Sequence, residues 1–209
     1  MKVESLIFDI DGTLWDTRAI IAEGYNEALR QAGYPQLCVD AEDLKALFGK
    51  TMIEIADIML TTVPVEERYV LMDKCMELGD GKLLDISCDI GYPGVRETME
   101  KLAKNHRLFI VSNSQCGYPE TTIDKLGLSH LIEGHMCFGD TGMEKGITIR
   151  RLMERHGIES AVYIGDTQGD YEASCKAEVP FVWMTYGFGV PEGYAAKADS
   201  FFELADIFE

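Results

Sequence analysis

Apolar residues along the chain follow two different periods, and their order predicts an α/β fold. Near the N-terminus, Leu6, Ile7 and Phe8 are consecutive apolar residues followed by polar ones, which is typical of a strand buried on both faces. After position 86, short apolar runs alternate with helical patterns. These strand-like runs lie at 108–111, 135–138, 161–165 and 179–184. Such alternation predicts a parallel sheet with helices on both faces.

Segment 17–85 has a different pattern, because its apolar residues recur at helical spacing and no strand pattern interrupts them. Gly33, Gly49 and Pro64 divide the segment, which predicts about four helices. The first strand is therefore separated from the rest of its sheet. We predict a discontinuous α/β domain, residues 1–16 and 86–209, and a helical domain, residues 17–85.

Charge excludes several classes of function. The 36 acidic residues outnumber the 19 Lys and Arg residues, so the formal net charge is −17. Binding to nucleic acid or to an anionic membrane surface needs clustered cations, and the sequence has no basic tract. No apolar run approaches the ~20 residues of a membrane span. Asp9 also comes too early for a signal peptide. We expect a cytoplasmic protein, monomeric by default, with a homodimer as the alternative.

The six cysteines show no recognisable pairing pattern. None forms a CxxC motif, and no histidine stands at zinc-finger spacing from them. We expect reduced thiols that are buried or idle, including Cys116, which follows the second strand. The cysteines are Cys38, Cys75, Cys88, Cys116, Cys137 and Cys175.

Polar residues follow several of the predicted strands. Because the carboxyl ends of parallel strands share one edge of a sheet, we expect these side chains to converge there. Clustered carboxylates repel one another unless a cation is present, and oxygen ligands favour a hard ion such as Mg²⁺. Each residue alone is a weak signal, whereas their joint occurrence predicts a functional site. They are Asp9, Asp11, Ser112, Asn113, Lys145, Asp166 and Asp170.

The order of these residues resembles the haloacid dehalogenase-like hydrolase superfamily, in its phosphoglycolate-phosphatase-like branch with a helical cap. Its motifs correspond to LIFDIDGTL at 6–14, FIVSN at 109–113, Lys145, and YIGDTQGD at 163–170. The chain has Gly146 after Lys145, where the family often has proline. The resemblance implies a three-layer α/β/α Rossmann-like core with an inserted helical-bundle cap.

The resemblance also implies roles for individual residues. Asp9 would be the nucleophile that forms an aspartyl phosphate, and Asp11 the general acid and then the base. Mg²⁺ would be held by the Asp9 and Asp166 side chains and by the Asp11 backbone carbonyl. The phosphoryl oxygens would be held by Ser112, Asn113 and Lys145. Dehalogenases lack an aspartate at the position of Asp11, so the resemblance favours hydrolysis of a small phosphorylated metabolite.

Asp170 would hold metal-bound waters or orient Lys145. The helical insert resembles the mobile cap of the family, and Arg18 or Lys50 is a candidate contact for an anionic substrate tail. Trp15 is expected to pack or to line a cleft, and the 186–189 turn is given no chemistry. Two alternatives stay open: a sugar-phosphate mutase, and a non-catalytic phosphoacceptor or regulatory protein. The sequence does not identify the substrate.

Overall fold

The computed structural model describes residues 1–87 and 89–209. These residues form two compact units. One comprises residues 1–16 together with 89–209, and the other comprises the described residues from Thr17 to 87. The prediction that Cys88 is a reduced thiol lies outside the described residues.

The second unit is helical. It contains α1 (Arg18–Gln31), α2 (Ala41–Lys45), α3 (Met52–Met59) and α4 (Val65–Asp85), with a 3₁₀ helix at Pro35–Leu37. Its own apolar core joins buried side chains of these helices, such as Tyr25, Leu29 and Cys75. The four α-helices agree with the sequence pattern, whose apolar spacing requires one buried stripe per helix.

The first unit is built on a six-stranded sheet in the order β3-β2-β1-β4-β5-β6, and all neighbouring strands are parallel. The strands are β1 (Ser5–Phe8), β2 (Arg107–Ser112), β3 (Ile132–Cys137), β4 (Ala161–Gly165), β5 (Phe181–Met184) and β6 (Ala196–Ala198). In this register Phe8 pairs with Ile110 on one side and Ile164 on the other. The carboxyl ends of β1, β2 and β4 therefore lie side by side.

Helices cover both faces of the sheet. They are α5 (Val95–Leu102), α6 (Tyr118–Lys125), α7 (Phe138–Thr141), α8 (Lys145–His156), α9 (Gln168–Ala177) and α10 (Leu204–Ile207), with a 3₁₀ helix at Phe201–Glu203. On one face Ile7 packs in a core with Ile149 of α8 and Ala173 of α9. On the other face the Phe8 ring stacks on Phe201, with centroids 6.0 Å apart. Burial on both faces explains the consecutive apolar residues of β1, and the predicted α/β/α class is confirmed.

The edges of the sheet differ most from the sequence-based expectation. β3 begins at Ile132, three residues before the predicted run at 135–138, and β6 is absent from the prediction. Both are edge strands, which pair on one side only. Most of β3 is only half-buried, so it lacks the continuous apolar run that marked the central strands.

Candidate active site

Asp9 is the first residue after β1, and its backbone continues the ladder. Its N–H donates to the Ile164 carbonyl at 2.8 Å, and the residue is only 2% exposed. Three residues later Gly12 turns the chain with φ = +81°. A side chain there would overlap the carboxylate of Asp166, so glycine is required both for the turn and for the close approach.

Lys145 is the buried cation of this site. It is the first residue of α8, and its Nζ donates to Asp9 Oδ1 at 2.9 Å and to Asp170 Oδ1 at 2.7 Å. Burial by itself would lower the pKa of Lys145, but the two carboxylates outweigh burial and raise this pKa above the ordinary lysine value. Lys145 is therefore a fixed positive charge that joins the end of β1 to α9.

Asp166 and Asp170 meet through a helix cap. Thr167 is the N-cap of α9, and its hydroxyl accepts from the Asp170 N–H. In return, Asp170 Oδ2 accepts from the backbone N–H groups of Asp166 at 3.1 Å and Thr167 at 3.0 Å. Because the helix begins only at Gln168, Asp166 precedes it, and Asp170 lies in its first turn.

The buried carboxylates repel one another. Side-chain oxygens of Asp9, Asp166 and Asp170 all lie within 4.8 Å of one another, and all three residues are buried. Burial and the Asp170 charge raise the pKa of Asp9 to about 7, although Lys145 opposes the shift. The same two causes hold the pKa of Asp166 well above its ordinary value. Despite burial, contact with Lys145 keeps the pKa of Asp170 low.

This charge balance fits a divalent cation. Three carboxylates face one ammonium, which leaves the ionised cluster with two uncompensated negative charges. The oxygen-only donor set is the type that Mg²⁺ binds. Asp166 is already oriented, because Oδ1 accepts from Thr13 Oγ1 at 3.3 Å and Oδ2 accepts from the Phe188 N–H at 2.6 Å.

Asp11 is held by aromatic donors that sequence reasoning did not assign to the site. Its Oδ1 accepts from the Tyr118 hydroxyl at 2.7 Å and from Trp15 Nε1 at 3.1 Å. Trp15 is fully buried, so the expected packing role is accompanied by a polar contact. Tyr118 begins α6, and nothing in its local sequence pairs it with a residue 107 positions away.

Ser112 and Asn113 lie at the same sheet edge. Ser112 is the last residue of β2 and is buried, and its Oγ accepts from the Ser114 N–H at 3.2 Å. Asn113 follows directly. β2 pairs in parallel with β1, the strand that Asp9 follows. Ser112 and Asn113 therefore lie at the carboxyl end of β2, on the same sheet edge as Asp9. Their position agrees with an oxyanion-binding role, which stays a prediction.

The 186–189 turn, which was given no chemistry, contributes a backbone donor to the candidate site. Besides the Phe188 N–H bond to Asp166, the Tyr186 hydroxyl donates to the Thr13 carbonyl at 2.7 Å. The two flanking glycines were a usable signal, since they allow a backbone to approach a side chain closely.

The two candidate substrate cations lie in the helical unit. Arg18 donates to the Ala41 carbonyl at 3.2 Å and pairs with Glu42 at 3.3 Å. Lys50 is exposed. A contact of either with substrate stays a prediction.

The parallel sheet with a carboxylate cluster and a lysine at its carboxyl edge defines an α/β protein with an acidic candidate site. The haloacid dehalogenase-like hydrolase family matches residues 6–184. The chain belongs to this family, which confirms the predicted superfamily and hydrolase class.

Phosphoglycolate phosphatases are among its relatives. The Agrobacterium fabrum phosphoglycolate phosphatase is 27% identical over 198 residues, covering 87% of this chain and 80% of the relative. The Rhodobacter capsulatus phosphoglycolate phosphatase is 27% identical over 220 residues, covering 98% and 96%. The predicted resemblance to this branch is thus confirmed over nearly the whole chain.

Solved structures share the fold. A predicted phosphoglycolate phosphatase from Haemophilus somnus 129PT matches with a TM-score of 0.86 and 21% identity, covering 99% of this chain and 98% of that one. A haloacid dehalogenase-like family hydrolase from Streptococcus pneumoniae matches with a TM-score of 0.82 and 19% identity, covering 99% of both.

Proposed function

We propose that this protein is a Mg²⁺-dependent phosphatase that hydrolyses a phosphate monoester of a small metabolite through an aspartyl phosphate on Asp9. The observation that supports it most is the buried contact of Asp9 with Lys145 beside Asp166 and Asp170. The relatives named as phosphoglycolate phosphatases support the same class of substrate.

The nucleophile in this proposal is Asp9. Its carboxylate attacks phosphorus, and the bond from phosphorus to the ester oxygen breaks. Lys145 holds Asp9 in place, and its ammonium offsets charge that develops on the phosphoryl oxygens. Asp9 must be ionised to attack, and its raised pKa supports the proposal of a cation in the same site.

Asp11 is the proposed proton carrier. It protonates the leaving alkoxide and then takes a proton from the water that hydrolyses the aspartyl phosphate. Tyr118 and Trp15 orient it through Oδ1. Ser112 and the Asn113 N–H are proposed to bind phosphoryl oxygens at the end of β2.

The cation would be held by the carboxylates of Asp9 and Asp166 and by the backbone carbonyl of Asp11. When bound, Mg²⁺ supplies a positive charge that lowers the repulsion between the nucleophile and the phosphate dianion. The carboxylate of Asp170 stays with Lys145 and the cap of α9.

The test is a screen of phosphorylated metabolites that measures released phosphate with Mg²⁺ and after EDTA treatment. We expect release from at least one small monoester, its loss in EDTA and its recovery on adding Mg²⁺. Asp9→Asn should lower kcat by at least about 10³-fold, because the amide is not a nucleophile. Isomerised sugar phosphate without release would indicate a mutase instead, and full activity of Asp9→Asn would exclude the mechanism.

No helix in the described part of the chain combines the length and the apolar character that a membrane crossing requires. The cytoplasmic location, the monomeric state and the role of residues 17–85 as a cap stay predictions.

A further inference from the structure

A second cluster of possible metal ligands lies apart from the acidic centre. Cys116 Sγ, Cys137 Sγ and a carboxylate oxygen of Asp140 all lie within 4.8 Å of one another. Both thiols donate to the Asp140 carboxylate: Cys137 to Oδ2 at 3.2 Å and Cys116 to Oδ1 at 3.5 Å. Cys137 ends β3, Asp140 lies in α7, and Cys116 lies in the loop between β2 and α6.

From this geometry we propose that Cys116, Cys137 and Asp140 form a binding site for a thiophilic divalent cation of the Zn²⁺ class. Tetrahedral zinc with Zn–S and Zn–O bonds of about 2.3 and 2.0 Å separates sulfur from oxygen ligands by about 3.5 Å. The separation of Cys116 Sγ from Asp140 Oδ1 matches that spacing, and Cys137 Sγ lies slightly closer to the other oxygen, Oδ2. Cys116 is exposed, so water can occupy the fourth position.

The ligand types separate this site from the acidic centre. Two thiolates with one carboxylate favour Zn²⁺ over Mg²⁺, whereas the oxygen-only cluster of Asp9, Asp166 and Asp170 favours Mg²⁺. An excess of Mg²⁺ should therefore fill the acidic centre and leave the thiol site for a softer ion.

Binding at the thiol site is balanced in charge. Both sulfurs donate to the Asp140 carboxylate and thus carry protons in the metal-free protein. One divalent cation displaces these two protons, forms two metal–sulfur bonds and leaves the local charge at −1, with no change in oxidation state.

The surroundings of the thiol pair support a site built by the fold. Gly139 donates its N–H to the Ser114 carbonyl at 3.1 Å, and a side chain at Gly139 would overlap the backbone nitrogen of Cys116. Glycine therefore allows the α7 backbone to approach the Cys116 loop closely.

The location links the cation to the end of β2. Cys137 is the register partner of Ser112, and Cys116 lies four residues after Ser112 in the loop that follows β2. A bound ion would tie this loop to the start of α7. The proposal needs only these contacts and is independent of the proposed phosphatase activity.

The test titrates the full-length, reduced protein with Co²⁺ and then Zn²⁺ in excess Mg²⁺. We expect one equivalent of Co²⁺ to produce a thiolate-to-cobalt charge-transfer band, which oxygen ligands do not give, and Zn²⁺ to remove it. Cys116→Ser and Cys137→Ser should each abolish the band, and Asp140→Asn should weaken binding. Circular dichroism checks that each variant is folded.

Cys175→Ser is the matched control, because Cys175 is an exposed cysteine outside the cluster, and it should keep the band. A band that persists in both Cys116→Ser and Cys137→Ser, or no band in the reduced wild-type protein, would overturn the proposal. Cobalt bound with no thiolate band would assign the ion to the acidic centre and reject the thiol site.

Discussion

Asp11 shows how single hydrogen bonds can set the behaviour of the proposed acid and base. Tyr118 and Trp15 both donate to the same carboxylate oxygen, and both are buried, so the carboxylate is held in a fixed orientation. The two aromatic residues therefore fix the position from which Asp11 would transfer its proton.

Replacing Tyr118 by Phe removes one of these donors and keeps the ring. A hydrogen bond to a charged group contributes about 1.5–3 kcal/mol, so loss of this donor should leave Asp11 less firmly oriented and lower kcat by about tenfold. Steady-state kinetics of the variant measures kcat and KM.

Tyr69→Phe is the control for that experiment. The Tyr69 hydroxyl also donates to a carboxylate, Asp57 at 3.0 Å, but in the helical unit. It should leave kcat unchanged. An unchanged kcat in a folded Tyr118→Phe protein would mean that the hydroxyl does not act on Asp11.

At the scale of elements, the start of α9 is both a helix cap and a part of the site. The Thr167 hydroxyl caps the helix and also donates to Asp170 Oδ2 at 2.7 Å. Asp170 in turn holds Lys145. The same few bonds thus start the helix and fix the position of the ammonium next to Asp9.

Thr167→Ala should therefore have two effects. Loss of the cap costs about 1 kcal/mol of stability, and release of Asp170 should lower kcat by about tenfold or more. Thr51→Ala is the matched control, because Thr51 forms the same capping box with Glu54 at the start of α3. Thermal unfolding and kcat are measured for both variants. If the two variants lost similar stability and also lost kcat equally, Thr167 would have no role in the site beyond capping its helix.

For the molecule as a whole, the acidic centre opposes folding at neutral pH when no cation is bound. The folded-state pKa of Asp9 is about 7, above its ordinary value of about 4, and that of Asp166 is raised as well. The folded protein therefore binds these protons more tightly than the unfolded chain. The contribution of Asp9 to stability is fully present below its ordinary pKa of about 4 and is lost as pH rises through about 7, and the raised pKa of Asp166 acts in the same direction.

We expect the metal-free protein to have a lower Tm at pH 8 than at pH 5.5, and Mg²⁺ to raise Tm more at pH 8. Asp170 does not change the direction of this pH dependence, because its lowered pKa keeps it ionised between pH 5.5 and pH 8. Scanning calorimetry in EDTA and in Mg²⁺ measures the difference. Asp9→Asn should flatten the pH dependence, and a Tm that rises with pH in EDTA would contradict the expected charge repulsion.

The central strands were predictable because each is buried on both faces and leaves an unbroken apolar run. The edge strands were harder to predict, since each has only one pairing partner and a weaker pattern: β3 was expected to begin three residues late, and β6 was missed. Residues of the candidate site also differ in whether a local sequence pattern marks them. Asp9, Lys145 and Asp166 follow or begin central elements, whereas Phe188 enters from a turn with no local pattern.

The sequence by itself determined that the core strands are parallel, at which sheet edge the polar residues converge, and the family. Strand burial and strand-end motifs are local along the chain, so the sequence alone reveals them. Tertiary structure alone decided which donors reach Asp11 and that Cys116, Cys137 and Asp140 meet. Those contacts join segments far apart in sequence, and they depend on side-chain direction and backbone approach, for which composition and spacing carry no signal.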